Sequence, residues 1–313
     1  MKDFLRLLKK RFLKPDPFLL PIILVVILFF LAVFDVYQKG EIILKSTLNP
    51  LLTNYQKSAY PLLKNKFNSN ISAKAAVVID KDSGVVIYAK NENLRFSPAS
   101  TTKIMTALTA LDYFKLTDIL EVKRATGEGS ILGLVKGQKM TFSDLLYAML
   151  LPSANDVAFV IAQNYPGEEE GFIEKMNQKA KLLNLNNTHF QDPAGLMDQD
   201  NFTTPLELAR LASASLENKI FSQVVSTQYK FISDIYGLNI YELLNRNKLL
   251  GVNGITGIKT GFTDEAGGVL VTSKKQNGHT LIIVVMKSDE RFSDTLKIAD
   301  YLSENLTYLS IRL

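Results

Sequence analysis

Cysteine is absent from the 313 residues, and histidine occurs only twice. The first absence excludes disulfides, thiolate zinc sites and a cysteine nucleophile. The second bears on catalysis. His279 follows Gly278 in a turn between two predicted strands, and His189 lies in a polar stretch rich in Asn and Thr. Neither neighbourhood holds an imidazole against a carboxylate, so a Ser-His-Asp triad is not expected. A serine enzyme of this composition needs another base, and lysine is the obvious choice. Low-complexity tracts are also missing. With 47% hydrophobic and 21% charged residues, the composition is globular with one oily insert.

A clustered basic face is lacking too. Lys2, Arg6, Lys9, Lys10, Arg11 and Lys14 face only Asp3 and Asp16 at the N-terminus, and the rest carries 30 basic against 29 acidic residues. The net charge of +5 therefore sits mostly in the first 16 residues, and no nucleic-acid partner is expected. Phe18 to Phe34 is an uncharged run of about 17 residues, the lower limit for a transmembrane helix. Pro21 falls in its first turn, where a proline costs least. The run ends Ala32-Val33-Phe34-Asp35-Val36-Tyr37, with bulky residues where a cleavage site needs small ones. It reads as an uncleaved, single-pass signal anchor. Residues 1–17 then form a cytoplasmic tail, and everything after Asp35 lies on the far side of the membrane. Residues 36–70, with Pro50 and Pro61, read as a juxtamembrane spacer, and 71–313 as the domain proper.

Within that domain, Ala76–Asp80 and Val85–Ala89 read as strands around a hairpin turn at Lys81-Asp82-Ser83-Gly84. The pattern predicts a helix over Ser100–Tyr113, and mostly helical spacing follows from Phe142 to Leu216. Thr204-Pro205-Leu206-Glu207 is a start signal there, with a threonine cap, proline at the first position and glutamate for a capping box. Strands return at Gly267–Ser273 and Thr280–Met286, joined by Gln276-Asn277-Gly278. Ser293–Asn305 predicts a last helix. Strands at both ends with helices between predict an α/β (α+β) fold, an antiparallel sheet flanked by helices with an inserted all-helical lobe.

Ser100-Thr101-Thr102-Lys103 supplies the serine and lysine required above. Residues three apart share a helix face, so the Lys103 amine reaches the Ser100 hydroxyl. At a helix N-terminus the dipole and free N–H groups favour a developing oxyanion. Alone this spacing is weak, since a chain this long shows roughly one such match by chance. Two more elements follow in order: Ser153-Ala154-Asn155 after Leu150-Leu151-Pro152, and Lys259-Thr260-Gly261 ahead of the C-terminal strands. An S-x-x-K, S-x-N, K-T-G order marks penicillin-binding proteins and class A β-lactamases.

On these residues the chain resembles the D-alanyl-D-alanine carboxypeptidases, the low-molecular-mass serine penicillin-binding proteins. Similar segments are Phe96 to Ala107, Leu145 to Asp156, Asp192-Pro193-Ala194-Gly195-Leu196, and Gly257 to Thr263. The likeness runs from about Ala73 to the C-terminus. It implies a penicillin-binding, serine β-lactamase-like transpeptidase fold in a bacterial cell membrane, with the catalytic domain outside. It implies peptidoglycan stem peptides as substrates, β-lactam antibiotics as covalent inhibitors, and no cofactor or metal.

The resemblance also implies roles. Ser100 attacks the carbonyl between two D-alanines and Lys103 takes its proton. Ser153 relays a proton to the leaving amine, and Asn155 holds the substrate amide. Lys259, Thr260 and Gly261 bind the terminal carboxylate, and Lys259 helps keep Lys103 neutral. The N–H groups of Ser100 and Phe262 form the oxyanion hole, and Arg291 stands where some relatives place a carboxylate-binding arginine. The chain stops at Leu313, so the β-rich second domain and C-terminal amphipathic helix of many relatives are not expected, and the N-terminal anchor takes over attachment. A D,D-endopeptidase would use the same residues. A β-lactamase would need a second base such as Glu168, Glu169, Glu170 or Glu174. A non-catalytic wall-binding protein would not need the intact motif residues.

Overall fold

The computed structural model describes residues 26, 28–35, 59–126 and 128–310. The chain divides into two units, one of residues 1–58 with the last two residues, the other Ala59–Ile311. Most of the expected anchor and spacer lies outside the described residues. In the first unit, residues 26 and 28–35 are helical and exposed. No helix among the described residues is long and apolar enough to cross a membrane.

The second unit begins with strand β1 (Ala59–Leu63), then β2 (Ala75–Asp80) and β3 (Val86–Lys90). A 3-10 turn (Ala99–Thr102) runs into helix α1 (Lys103–Leu111). Short strands β4 (Ile119–Glu121) and β5 (Lys139–Thr141) flank a long loop. Five helices follow: α2 (Phe142–Leu150), α3 (Asn155–Gln163), α4 (Glu168–Leu182), α5 (Pro205–Ser215) and α6 (Lys219–Val225). The hairpin β6 (Tyr229–Ser233) and β7 (Ile240–Leu244) leads to β8 (Ile255–Thr263), β9 (Gly267–Gln276) and β10 (His279–Ser288). Helix α7 (Arg291–Asn305) and strand β11 (Leu306–Ser310) end the described chain.

Alternation organises the sheet, because successive strand residues point to opposite faces. Its order is β3-β2-β10-β9-β8, antiparallel throughout. Ala75, Val77 and Ile79 of β2, with Ile282, Val284 and Met286 of β10, join the large core beneath the helical lobe. Ala76, Val78, Leu281, Ile283 and Val285 face the other way, onto Ile298, Ala299 and Leu302 of α7. Both faces are covered, so the strands read as continuous apolar runs. Each fully buried Val, Leu or Ile contributes about 1.5–3 kcal/mol. The predicted antiparallel sheet with an inserted helical lobe is what forms.

Several boundaries differ from the sequence expectation. The folded unit opens at Ala59, not near residue 71: β1 pairs with β11, and Phe67 packs edge-on against Tyr88 and Tyr301. That pairing spans almost the whole domain, and no local pattern announces it. The helix expected from Ser100 begins as a 3-10 turn and becomes α-helical only at Lys103. At α5, Thr204 accepts from the Glu207 N–H at 3.1 Å as expected, with Pro205 behind it. Glu207 turns elsewhere, receiving the Asn187 N–H at 2.9 Å and the Thr188 hydroxyl at 2.6 Å.

Candidate active site

Ser100 sits in the tight turn ahead of α1, and the preceding residue, Ala99, has a φ of 47°. A left-handed alanine is strained, and such strain persists only where the surroundings fix it. Two neighbours fix it here. Gly195 lies directly against the turn: a Cβ there would stand 1.9 Å from the Ala99 carbonyl oxygen. Gly261 of β8 backs onto the other side, where a Cβ would meet the Pro98 oxygen at 3.0 Å and the Ser100 nitrogen at 3.2 Å. Glycine lets the edge strand of the sheet approach the serine this closely. Asp198 ties the two pieces together, accepting the Ser97 hydroxyl and, at 2.8 Å, the Thr263 hydroxyl.

Lys103 is wholly buried, and its Nζ has three neighbours. Asn155 Oδ1 lies at 2.6 Å, the Ala194 carbonyl oxygen at 2.9 Å and Ser100 Oγ at 3.0 Å. The first two can only accept. A neutral amine has two protons to donate and one lone pair. Donation to Asn155 and Ala194 therefore leaves the lone pair for the hydroxyl of Ser100, the arrangement a general base requires. Burial drives the Lys103 pKa down to about 7; Asp192 opposes the shift, Arg246 adds to it, and Asp156 opposes it. Near neutrality roughly half of the amine is thus unprotonated and able to act as a base.

Two buried aspartates build the acceptors around that amine. Asp192 takes the N–H groups of Ala194, Gly195, Leu196 and Met197 at 2.6–2.9 Å, and the Asn201 amide at 2.6 Å. This folds the loop that presents the Ala194 carbonyl. Asp156 receives the Leu132, Gly133 and Leu134 N–H groups at 2.9–3.1 Å, pinning the long loop to α3. Asn155 opens that helix, and its Nδ2 donates to the Glu128 carbonyl at 3.0 Å.

Ser153 stands in the loop before α3 with a φ of 68°. Its hydroxyl oxygen is buried without a hydrogen-bond partner among the described residues. It shares that state with the hydroxyls of Thr102, Thr109, Thr272 and Thr295, but unlike them it belongs to the S-x-N element beside Asn155.

On β8, Lys259 and Thr260 are buried and Phe262 is exposed. Lys259 Nζ finds one acceptor among the described residues, the Thr260 carbonyl at 3.1 Å. Its pKa falls well below the ordinary lysine range through burial, then through Lys103, Arg246 and Arg291. Burial leads the causes that lower Lys103, and Lys103 in turn disfavours protonation of Lys259. Arg291, at the start of α7, donates to the Gly261 carbonyl at 3.0 Å, with its guanidinium 5.9 Å from the Phe262 ring. Of the residues singled out from the sequence, Ser100, Lys103 and Asn155 meet at one amine, Gly261 backs the serine turn and Arg291 bonds to Gly261; the parts played by Asp156, Asp192, Asp198 and Arg246 were not anticipated. Arg246 follows β7 and carries no motif; its backbone N–H donates to the Leu151 carbonyl at 3.1 Å, while its guanidinium makes no hydrogen bond or ion pair among the described residues. Asp192 did belong to a segment singled out by resemblance, but nothing local marks its carboxylate as the hub of a loop.

The histidines stay out of this chemistry. His189 Nδ1 lies 2.9 Å from the Asp200 carbonyl and its ring stacks on Phe202, while His279 stacks on Tyr308. Glu168 and Glu169 begin α4 and pair with Lys123 and Arg124 at 2.9–3.1 Å, and Glu170 and Glu174 are exposed. None of these carboxylates is bonded to Ser100.

Comparison with known proteins gives the same answer from another direction. A profile of the D-alanyl-D-alanine carboxypeptidase family matches residues 63–290. A D-alanyl-D-alanine carboxypeptidase of Bacillus subtilis is 32% identical over 264 residues, covering 80% of this chain and 68% of its own. A D-alanyl-D-alanine endopeptidase of Pseudomonas aeruginosa is 31% identical over 229 residues, 71% of this chain and 74% of its own. The crystal structure of the Streptomyces K15 DD-transpeptidase superposes with a TM-score of 0.71 at 32% identity, over 75% of this chain and 98% of that one. By sequence and by fold, the chain belongs to the D-alanyl-D-alanine carboxypeptidase family.

Proposed function

We propose that this protein is a serine D-alanyl-D-alanine carboxypeptidase that trims peptidoglycan stem peptides through an acyl-enzyme on Ser100. The observation that carries the reading is the Lys103 amine, buried, near-neutral and 3.0 Å from the Ser100 hydroxyl. Ser100 Oγ attacks the carbonyl carbon of the penultimate D-alanine while Lys103 takes its proton. The N–H groups of Ser100 and Phe262 receive the oxyanion; an edge strand such as β8 leaves one row of N–H groups unclaimed by the sheet. The unpartnered Ser153 hydroxyl passes the proton on to the departing amine. Asn155 keeps one N–H beyond its bond to Glu128, and this donates to the substrate amide. Lys259, Thr260 and Arg291 take the terminal carboxylate, and its negative charge favours protonation of Lys259. Water then hydrolyses the ester, with Lys103 again as base.

The test uses the full-length protein. Labelled penicillin acylates it covalently, and Ser100→Ala removes the label; an unlabelled wild-type protein refutes the mechanism. Release of D-alanine from a linear pentapeptide, compared with cleavage of a cross-linked dimer, separates carboxypeptidase from endopeptidase. The basic tail and the apolar run Phe18–Phe34 support a further part of the proposal: a single membrane anchor with the enzyme domain outside. Protease added to intact spheroplasts then degrades the domain and spares the first 17 residues.

A further inference from the structure

The two N–H groups assigned to the oxyanion belong to different pieces of the fold. Ser100 lies in the turn before α1, and Phe262 lies on β8. Hydrogen bonding within either element does not set the distance between them. An oxyanion hole needs both donors about 2.7–3.1 Å from one oxygen, so a shift of either piece weakens it. Gly261 packs onto the Ser100 turn and limits how near the pieces come. Such packing is non-directional, and directed bonds across the seam are needed to fix its register.

Asp198 supplies those bonds on both sides. Its Oδ1 accepts the hydroxyl of Ser97, three residues before Ser100, and at 2.8 Å the hydroxyl of Thr263, one residue after Phe262. Each hydroxyl is tied in turn to its own segment. Ser97 Oγ receives the N–H of Ala99 at 3.3 Å, the residue held at a φ of 47°. Thr263 Oγ1 receives the N–H of Ala266 at 3.0 Å, closing the turn between β8 and β9. A hydroxyl has a single proton, and both spend it on this carboxylate, in the stronger, charge-assisted kind of bond. The backbone that carries Asp198 is itself held. The Leu196 and Met197 N–H groups donate to Asp192 at 2.9 Å, and the Asn201 amide donates to the Met197 carbonyl at 2.9 Å. The same loop presents the Ala194 carbonyl to Lys103 at 2.9 Å. One loop therefore aligns the base, the nucleophile's turn and β8 with one another. On the proposed reading of the reaction, we infer that Asp198 is a positioning residue, a latch that fixes the Phe262 N–H relative to the Ser100 N–H and so sets the oxyanion hole without touching substrate.

The experiment follows acylation of the full-length protein by labelled penicillin, measuring the rate at saturation and the concentration giving half that rate. Asp198→Ala cuts both ends of the latch. It should lower the saturated rate about tenfold or more, since the donors act mainly on the transition state, and leave the half-saturating concentration within about twofold. Asp198→Asn, whose amide oxygen accepts the same two hydroxyls, should recover most of that rate. A latch holds only when both ends are closed. Ser97→Ala and Thr263→Val should therefore each slow acylation about as much as Asp198→Ala, and the double variant no further. If Asp198→Ala does not fold, the other variants carry the test. A rate unchanged by cutting either end, losses that multiply in the double variant, or an Asp198→Asn rate as low as that of the alanine variant overturns the inference. A wild type that takes no label refutes the main reading instead.

Discussion

The two walls of the cleft solve the problem of a buried lysine differently. On the helical-lobe side, Lys103 is surrounded by acceptors, Asn155 and Ala194, and two buried aspartates shape the loops that carry them. On the sheet side, Lys259 has one backbone acceptor and lies near Lys103, Arg246 and Arg291, each of which disfavours its charge. The first wall satisfies its amine without a ligand. The second is a concentration of positive charge with too few acceptors, and an anion is what completes it. One lysine is built to lose a proton, and the other to gain a partner.

Replacing each lysine by methionine breaks this comparison most directly. Lys103→Met removes the base, so acylation by both penicillin and peptide should fall by about 10³-fold or more at saturating ligand. Lys259→Met removes a carboxylate partner, so its effect should appear mainly in KM for the peptide. Stopped-flow acylation with both ligands distinguishes the two patterns; equal losses in kcat for both variants would erase the proposed division of labour.

Asp192 is the next largest expected effect. Asp192→Ala leaves four backbone N–H groups and the Asn201 amide without their acceptor, each buried orphan costing about 1–3 kcal/mol. Urea unfolding should show a loss of at least about 3 kcal/mol. Asp192→Asn keeps the shape more closely but deletes a charge that raises the Lys103 pKa. Its acid limb of acylation should therefore move to lower pH.

How much of this was legible beforehand follows from what is local. The Ser100–Lys103 spacing, the S-x-N and K-T-G elements and the capping threonine at 204 are short-range signals; the first pair meets, Asn155 reaches Lys103, Gly261 packs on the Ser100 turn, and Thr204 caps its helix. The closing of β1 on β11 is a pairing between chain ends, so residues 59–63 looked like spacer. The strain at Ala99 and the need for Gly195 and Gly261 arise only when three distant segments meet around one turn. Arg246 is the plainest case. It has no motif, its guanidinium has no bonded partner among the described residues, and it acts on the two lysines only through where its charge lies.

That makes Arg246 the finest test of the two-wall picture. Its cation is among the causes that lower both Lys103 and Lys259. The reactive form of Lys103 is the neutral amine, so acylation falls about tenfold per unit as pH drops below its pKa near 7. Removing a nearby cation favours the protonated amine and raises that pKa. Arg246→Met should thus move the acid limb upward by about 0.5–1 pH unit, the scale expected for one partly exposed charge. Arg246→Lys, which keeps the charge, should hold the limb close to that of the wild type. Since Asp192→Asn should shift the same limb downward, the pair brackets Lys103 from opposite sides. A limb that stays fixed in Arg246→Met would mean that burial and the aspartates set the base without this cation, and that the cationic wall acts only on the substrate.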